Sequence, residues 1–345
     1  MINGCQNIEK WFLDQPKTSF PSKSDYVANY RAIKNYMDEQ IHEEIKSMVK
    51  TFIPEMYLNN HGTKHIATVI DKASEIINIS NQILTPYETY FLLVAIQIHD
   101  AGHLINGRKE HEKNAKAIIS NFGNELIDKV EKRYVSDIAR AHSGKNDPIG
   151  KLPENQYVNG ESINLRLIAA LLRLADELAD DVTRSSLFLL EHELLPEKSI
   201  LFHEYSKCLH SCIADREGHQ ISMNFFVEED VLDKTYIDGT QTVFLIDEIY
   251  KRTLKTYLEC LYCNRYLPEK YRYTTINVEI EIDSDKESID PKSISYRLME
   301  KGYPDLKSND IFDICDKELI INGEKLDGIY FNNQIQIDKS NEKSI

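Results

Sequence analysis

Residues 97–103 read QIHDAGH and close the apolar run YFLLVAI. Two imidazoles and a carboxylate, those of His99, Asp100 and His103, therefore fall within five residues at the end of a helix apolar enough to be buried, where a lone charge is costly. Other polar residues occupy similar settings: His65 in HIATVI, His111 at the start of HEKNAKAII, His142 at the end of DIARAH, and Asp176 inside LIAALLRLADEL. Asp176 shares a helical stripe with Leu165, Ile168, Ala169 and Leu172, so the spacing turns it inward. Each residue alone has a bland reading, as a core histidine, a buried cap or a salt-bridge partner. Together, His65, His99, Asp100, His111, His142 and Asp176 can satisfy one another around a divalent ion. Imidazole nitrogen with carboxylate oxygen suits Mn, Fe, Co, Ni or Zn, and suits Mg less, since Mg prefers oxygen.

The elements that must position these groups are mostly helices. From about residue 24 to 190, apolar residues recur three and four apart with almost no alternation. Ser24 can cap a long helix that Pro54 breaks, and a second runs from about 62 to 79. TPYE at 85–88 is a capping box with Pro at the first helical position. Three more helices are expected near 111–122, 126–142 and 163–181, with SGKNDPIG and PENQYVNGE as loops between the last two. Beyond about 200 the period changes: HQISMNFFVEED and TTINVEIEID alternate as strands around the helical TVFLIDEIYKRTLKTYLECLYCNRYL. KELIINGEKL and DGIYFNNQIQID carry Asn-Gly and Asp-Gly signals for one or two hairpins. The expected fold is mainly α, with a helical domain over 1–195 and a smaller α+β module over 196–345 acting as a lid, a dimer contact or a regulatory surface.

The motifs HIATV around His65, LLVAIQIHDAGH around His99 and Asp100, and LLRLADELADD around Asp176 resemble, in that order, the HD superfamily of metal-dependent phosphohydrolases. The resemblance covers about residues 45–190. It implies an HD-type helical bundle on which His65, His99, Asp100 and Asp176 bind a first metal. In members with two metals, Asp100 bridges, and His111 and His142 look like the added ligands. HDAGH is also similar to the HDxGH of deoxynucleoside-triphosphate triphosphohydrolases, which implies a place for His103 beside substrate phosphates. Where those enzymes carry a further His, this chain has Arg108.

A net charge of −15, from 41 Lys and Arg against 56 Asp and Glu, disfavours nucleic acid as the main partner. No run approaches a membrane span, the N-terminus does not read as a signal peptide, and six cysteines are few enough to be reduced thiols, so a cytoplasmic protein is expected. The two pairs CLHSC and CLYC could bind structural zinc, but as residues of helices they read better as apolar filler. One or two metal ions point to phosphoester or phosphoanhydride hydrolysis. Asp100, His103 and Lys145 are the expected catalytic groups, and His61, Arg108, Arg173 and Arg184 the expected phosphate holders. For Arg173 and Arg184 the competing expectation is a salt bridge to Asp180 or Asp181. A small phosphorylated molecule, with nucleotides leading, is the expected substrate, and a homo-oligomer is allowed for. The alternative is a nucleotide-sensing module that binds without turnover.

Overall fold

Thr85 accepts a hydrogen bond from Glu88 N, and the Glu88 carboxylate accepts one from Thr85 N, which closes the expected capping box and starts helix Pro86–Ile98. Every residue from Tyr87 to Ile98 is buried, so this helix is hydrophobic all round and takes the centre of the bundle. Helices Tyr26–Tyr36, Lys129–Arg140 and Leu165–Leu178 pack against it, and Thr63–Ile77 packs against Leu165–Leu178. The computed structural model describes residues 7–21, 24–48, 62–77, 83–106, 111–180, 184–284, 289–300 and 310–342.

The described residues divide into two units. The first takes those within 1–53, 60–179 and 262–272, and the second those within 180–261 and 273–345. Residue 180 and residues 184–195, expected with the helical domain, group with the second unit, while 262–272 return to the first.

In the first unit the second capping box is Asp128 with Glu131 on helix Lys129–Arg140. Glu131 is buried, and its Oε1 accepts from the hydroxyls of Tyr26 (2.8 Å) and Tyr87 (2.6 Å), so one carboxylate ties three helices together. PENQYVNGE, expected as a loop, is a hairpin: Asn155–Val158 pairs with Glu161–Asn164. Its turn, Asn159-Gly160, has φ of 50° and 88°, the two left-handed residues that a tight hairpin requires. Asn164 then caps helix Leu165–Leu178 by accepting from Leu167 N. The long helix expected from Ser24 is α-helical over Tyr26–Tyr36, π-helical over Met37–His42 and α-helical again over Glu43–Met48.

The second unit is built on a four-stranded sheet in the order Leu209–Asp215, Gln220–Glu228, Thr275–Asp283, Ser293–Met299. Its middle pair is parallel and both outer pairs are antiparallel. Ile221, Met223, Phe225 and Val227 alternate inward, as do Ile276, Val278, Ile280 and Ile282, which realises the strand periodicity of the sequence. Helix Leu245–Asn264 supplies the crossover that a parallel pair needs, and its Thr253 hydroxyl meets that of Tyr296 at 2.6 Å. Two expectations, for the tail and for Cys212, are corrected. DGIYFNNQIQID is the start of helix Gly328–Glu342, so only the short Ile320–Ile321 and Glu324–Lys325 pair forms a tail hairpin. Helices Leu187–Glu191 and Glu197–Cys208 precede the sheet. Cys212 lies on a strand, and the described cysteines, Cys208, Cys212, Cys260, Cys263 and Cys315, are buried and outside any disulfide. Among the described residues no helix is long and apolar enough to cross a membrane.

Candidate metal centre

Helix Pro86–Ile98 ends by delivering His99 and Asp100 into the first unit, both buried. His65 arrives from the buried stripe of helix Thr63–Ile77, and Asp176 from the last turn of helix Leu165–Leu178. One donor atom from each of these four residues lies within 4.8 Å of all the others. His65 Nε2 stands 3.1 Å from Asp176 Oδ1 and 3.6 Å from Asp100 Oδ2. His99 Nε2 stands 3.3 Å from Asp100 Oδ2 and 3.5 Å from Asp176 Oδ1.

Asp100 uses its other oxygen differently. Oδ1 lies 3.6 Å from His142 Nε2 and 3.6 Å from His103 Nε2. One carboxylate thus faces two imidazoles on each side. His142 follows helix Lys129–Arg140, and His103 opens the single turn His103–Asn106. Glycine at 102 sits between Asp100 and that turn, with His103 N bonded to Asp100 O at 3.0 Å.

The ring orientations are set from behind. His99 Nδ1–H donates to Ile96 O at 2.8 Å, and His142 Nδ1–H donates to Ala139 O at 2.6 Å. Each bond leaves the Nε2 lone pair pointing at the carboxylates, the tautomer a metal ligand needs. His99 Nε2 has no solvent and no hydrogen bond of acceptable geometry. Burial acts to lower the pKa of His99, but the charges of Asp100 and Asp176 outweigh it and hold it well above the usual histidine range. Burial likewise acts to raise Asp176, and is outweighed by the imidazoles of His99 and His65 beside it, which hold it well below the carboxylate range. The cluster therefore demands positive charge at its centre. A dication fits this demand, and the nitrogen and oxygen donors are those of a transition metal.

The loop after His142 is clamped. Asp147, at a φ of 57°, accepts from the hydroxyls of Tyr266 (2.6 Å) and Tyr262 (2.9 Å), from Gly150 N (3.1 Å) and from Arg265 Nη2 (3.2 Å). Those bonds, Tyr266's first, hold its carboxyl at about 2. Arg173 lies over the Tyr262 ring, 5.0 Å from its centroid. Its guanidinium donates to Ala141 O (3.4 Å) and Gly144 O (3.3 Å). Through these bonds Arg173 holds the backbone on either side of His142. Arg184, in the second unit, has its Nε 4.0 Å from Asp180 Oδ1, the competing expectation for that residue. Lys145 is exposed, three residues past His142. His61 and Arg108 lie outside the described residues, as does the side chain of His111, whose backbone opens helix His111–Ile119.

Sequence reasoning missed the clamp of Asp147, Tyr262 and Tyr266, because its halves are more than a hundred residues apart and neither is polar in an apolar run. It also missed Gln97. Gln97 is fully buried on helix Pro86–Ile98, and its Oε1 accepts from His42 Nε2 at 3.2 Å while its Nε2 donates to the Tyr30 hydroxyl at 3.2 Å. The signal was present, since Gln97 interrupts LLVAIQI as His99 does.

A search of curated proteins returns no match to this chain. Its four-residue cluster and the helices that carry it lie within residues 53–255, which match the HD-CE family model over more than half of the sequence, and the chain belongs to the HD-CE family, an HD-type domain.

Proposed function

We propose that the protein is a metal-dependent phosphohydrolase acting on phosphoester or phosphoanhydride bonds of a nucleotide-type small molecule. The observation that carries this reading is the two-sided Asp100: Oδ2 faces His65 and His99 while Oδ1 faces His103 and His142. His65, His99, Asp100 and Asp176 would hold a first ion, and His142 with Asp100, joined by His111, a second. Divalent Mn, Fe, Co, Ni or Zn in such a place supplies Lewis-acid charge to a phosphoryl group and acidifies water.

The chain's own residues do the rest. Asp100 shares its charge between the two halves of the site and fixes their separation. His103 has its Nε2 3.6 Å from Asp100 Oδ1, so it can pass a proton to or from a leaving oxygen while its charged form stays paired. Arg173 acts as a positioning residue that holds the backbone around His142, and phosphate contact falls to Lys145, Arg108 and His61. An acidic chain must place such cations deliberately, and Lys145 has the exposure the task requires.

The test is elemental analysis of the purified protein, followed by a nucleotide panel with Mn or Co present and released phosphate, pyrophosphate and nucleoside all read. Hydrolysis that is stimulated by metal and abolished by His99→Ala and by Asp100→Ala is the expected result. A metal-loaded protein that turns over nothing on the panel defeats the proposal. Tight binding of a nucleotide recovered unmodified would favour the sensing module instead.

A further inference from the structure

The second unit contains a cavity of about 430 Å³ at the carboxyl ends of the two parallel strands. That volume lies within the roughly 300–1,000 Å³ of small-molecule sites. Its wall carries four carboxylates, those of Glu204, Glu228, Glu281 and Asp283, against one ammonium, that of Lys207. Lys207 is already paired with Glu228 at 2.6 Å. The strand register sets Glu228 opposite Asp283 and Phe226 opposite Glu281, which concentrates the acids at one end of the sheet.

Glu204 distinguishes this cavity from an ordinary acidic surface. It comes from helix Glu197–Cys208, is only 7 % exposed, and its Oε2 has no hydrogen-bond partner. A carboxylate taken out of water without such a partner lacks the compensation that buried charge normally receives. Burial pushes its carboxyl above the ordinary glutamate range, against the pull of Lys207. The remaining wall is apolar, with Phe226, Val231 and Ile282.

The geometry points to a binding site for a small aliphatic polyamine, whose ammonium groups answer the carboxylates while its methylene chain covers Phe226, Val231 and Ile282. A metal ion fits less well. Among the described residues, the donor atoms that converge within 4.8 Å as a group are those of His65, His99, Asp100 and Asp176, so the acids of this cavity are spread over its wall rather than gathered. The site stands on different residues from the metal centre and does not depend on the reaction proposed for it.

Calorimetric titration of the full chain with spermidine at 0.15 M salt is the test. One saturable site is expected, weakened at least about tenfold by Glu204→Gln and by Glu281→Lys, since each removes a charged partner. Glu281 is on an exposed strand position, so its variant carries the test if Glu204→Gln does not fold. N-acetyl-lysine amide, a single protein-type ammonium, should bind far more weakly, and equal binding would overturn the polyamine in favour of a protein side chain. Three other results overturn the site: no saturable heat at millimolar spermidine, an affinity unchanged in the variants, or Mg at matched ionic strength giving the same variant-sensitive heat.

Discussion

His42 should make the first unit sensitive to mild acid. The residue ends the π-helical stretch Met37–His42, is 1 % exposed, and donates through Nε2 to Gln97 Oε1. Its Nδ1 is buried without a partner, so the ring is held neutral. Burial lowers its pKa to about 4 against the pull of the Gln97 bond. The unfolded chain, with an ordinary value of about 6.5, takes up a proton first, so this contribution to stability is complete above 6.5 and is lost as pH falls from there to 4. Those two values imply a loss of about 2 kcal/mol at pH 5 and about 3 kcal/mol below pH 4, relative to pH 8. The perturbation is His42→Leu, which removes the titrating group at similar volume. The assay is urea unfolding followed by the fluorescence of Trp11, the chain's one tryptophan, which lies in the first unit on helix Ile8–Leu13. The variant will lose stability at neutral pH because Gln97 Oε1 loses its donor, but that cost does not vary with pH. Between pH 8 and pH 5 the wild type should lose about 2 kcal/mol more than the variant. Equal losses, within about 0.5 kcal/mol, would refute the reasoning, because other titrating groups cancel in the comparison.

Two further predictions concern the cluster and its clamp. Mn added at about a hundred times its dissociation constant should stabilise the protein by about 2.7 kcal/mol, read as a rise in melting temperature, and Asp100→Asn should abolish the rise; an equal rise in the variant would place the ion elsewhere. Asp147→Asn should cost about 1 kcal/mol at pH 7 in urea midpoints, a modest figure because Asp147 is 42 % exposed. Its carboxylate is held at about 2, so the difference is present above the unfolded value near 3.9 and fades as pH falls toward 2; a difference unchanged at pH 3 and pH 2 would assign the loss to something other than charge.

The helices were legible where two signals agreed. TPYE declared a start and the apolar run after it declared burial, and both are realised in Pro86–Ile98. The hairpin at Asn155–Asn164 was missed because its strands are four residues each and its residues Asn155, Gln156, Glu161 and Ser162 are polar, so alternation had nothing to show, while the Asn-Gly pair read as a loop signal. The tail failed in the opposite direction. Asp327-Gly328 looked like a hairpin turn, but Asp327 caps a helix by accepting from Tyr330 N, and Phe331 and Ile335, four apart, are its buried face. A dipeptide cannot separate a turn between strands from a helix start; the period after it can, and FNNQIQI offers both periods.

Polar residues stranded in apolar runs were the legible part of the candidate site, because burial without a partner is an energetic contradiction that only assembly resolves. That argument brought in His65, His99, Asp100 and Asp176, which the fold brings together. It could not divide the remaining histidines among roles, since a helix end such as His142 and a loop such as His103 are equally plausible outside a bundle. The fold separates them by which oxygen of Asp100 each meets. His65 and His99 take Oδ2, His142 and His103 take Oδ1, and so His103, read in the sequence as a phosphate neighbour, stands as near to Asp100 as His142 does. A residue at that distance from a shared carboxylate can ligate or transfer a proton, but not both at once. Replacing it separates the two: His103→Gln keeps a donor and acceptor without a titrating ring, so loss of turnover with full metal content assigns the proton, whereas loss of one metal equivalent assigns the ligand.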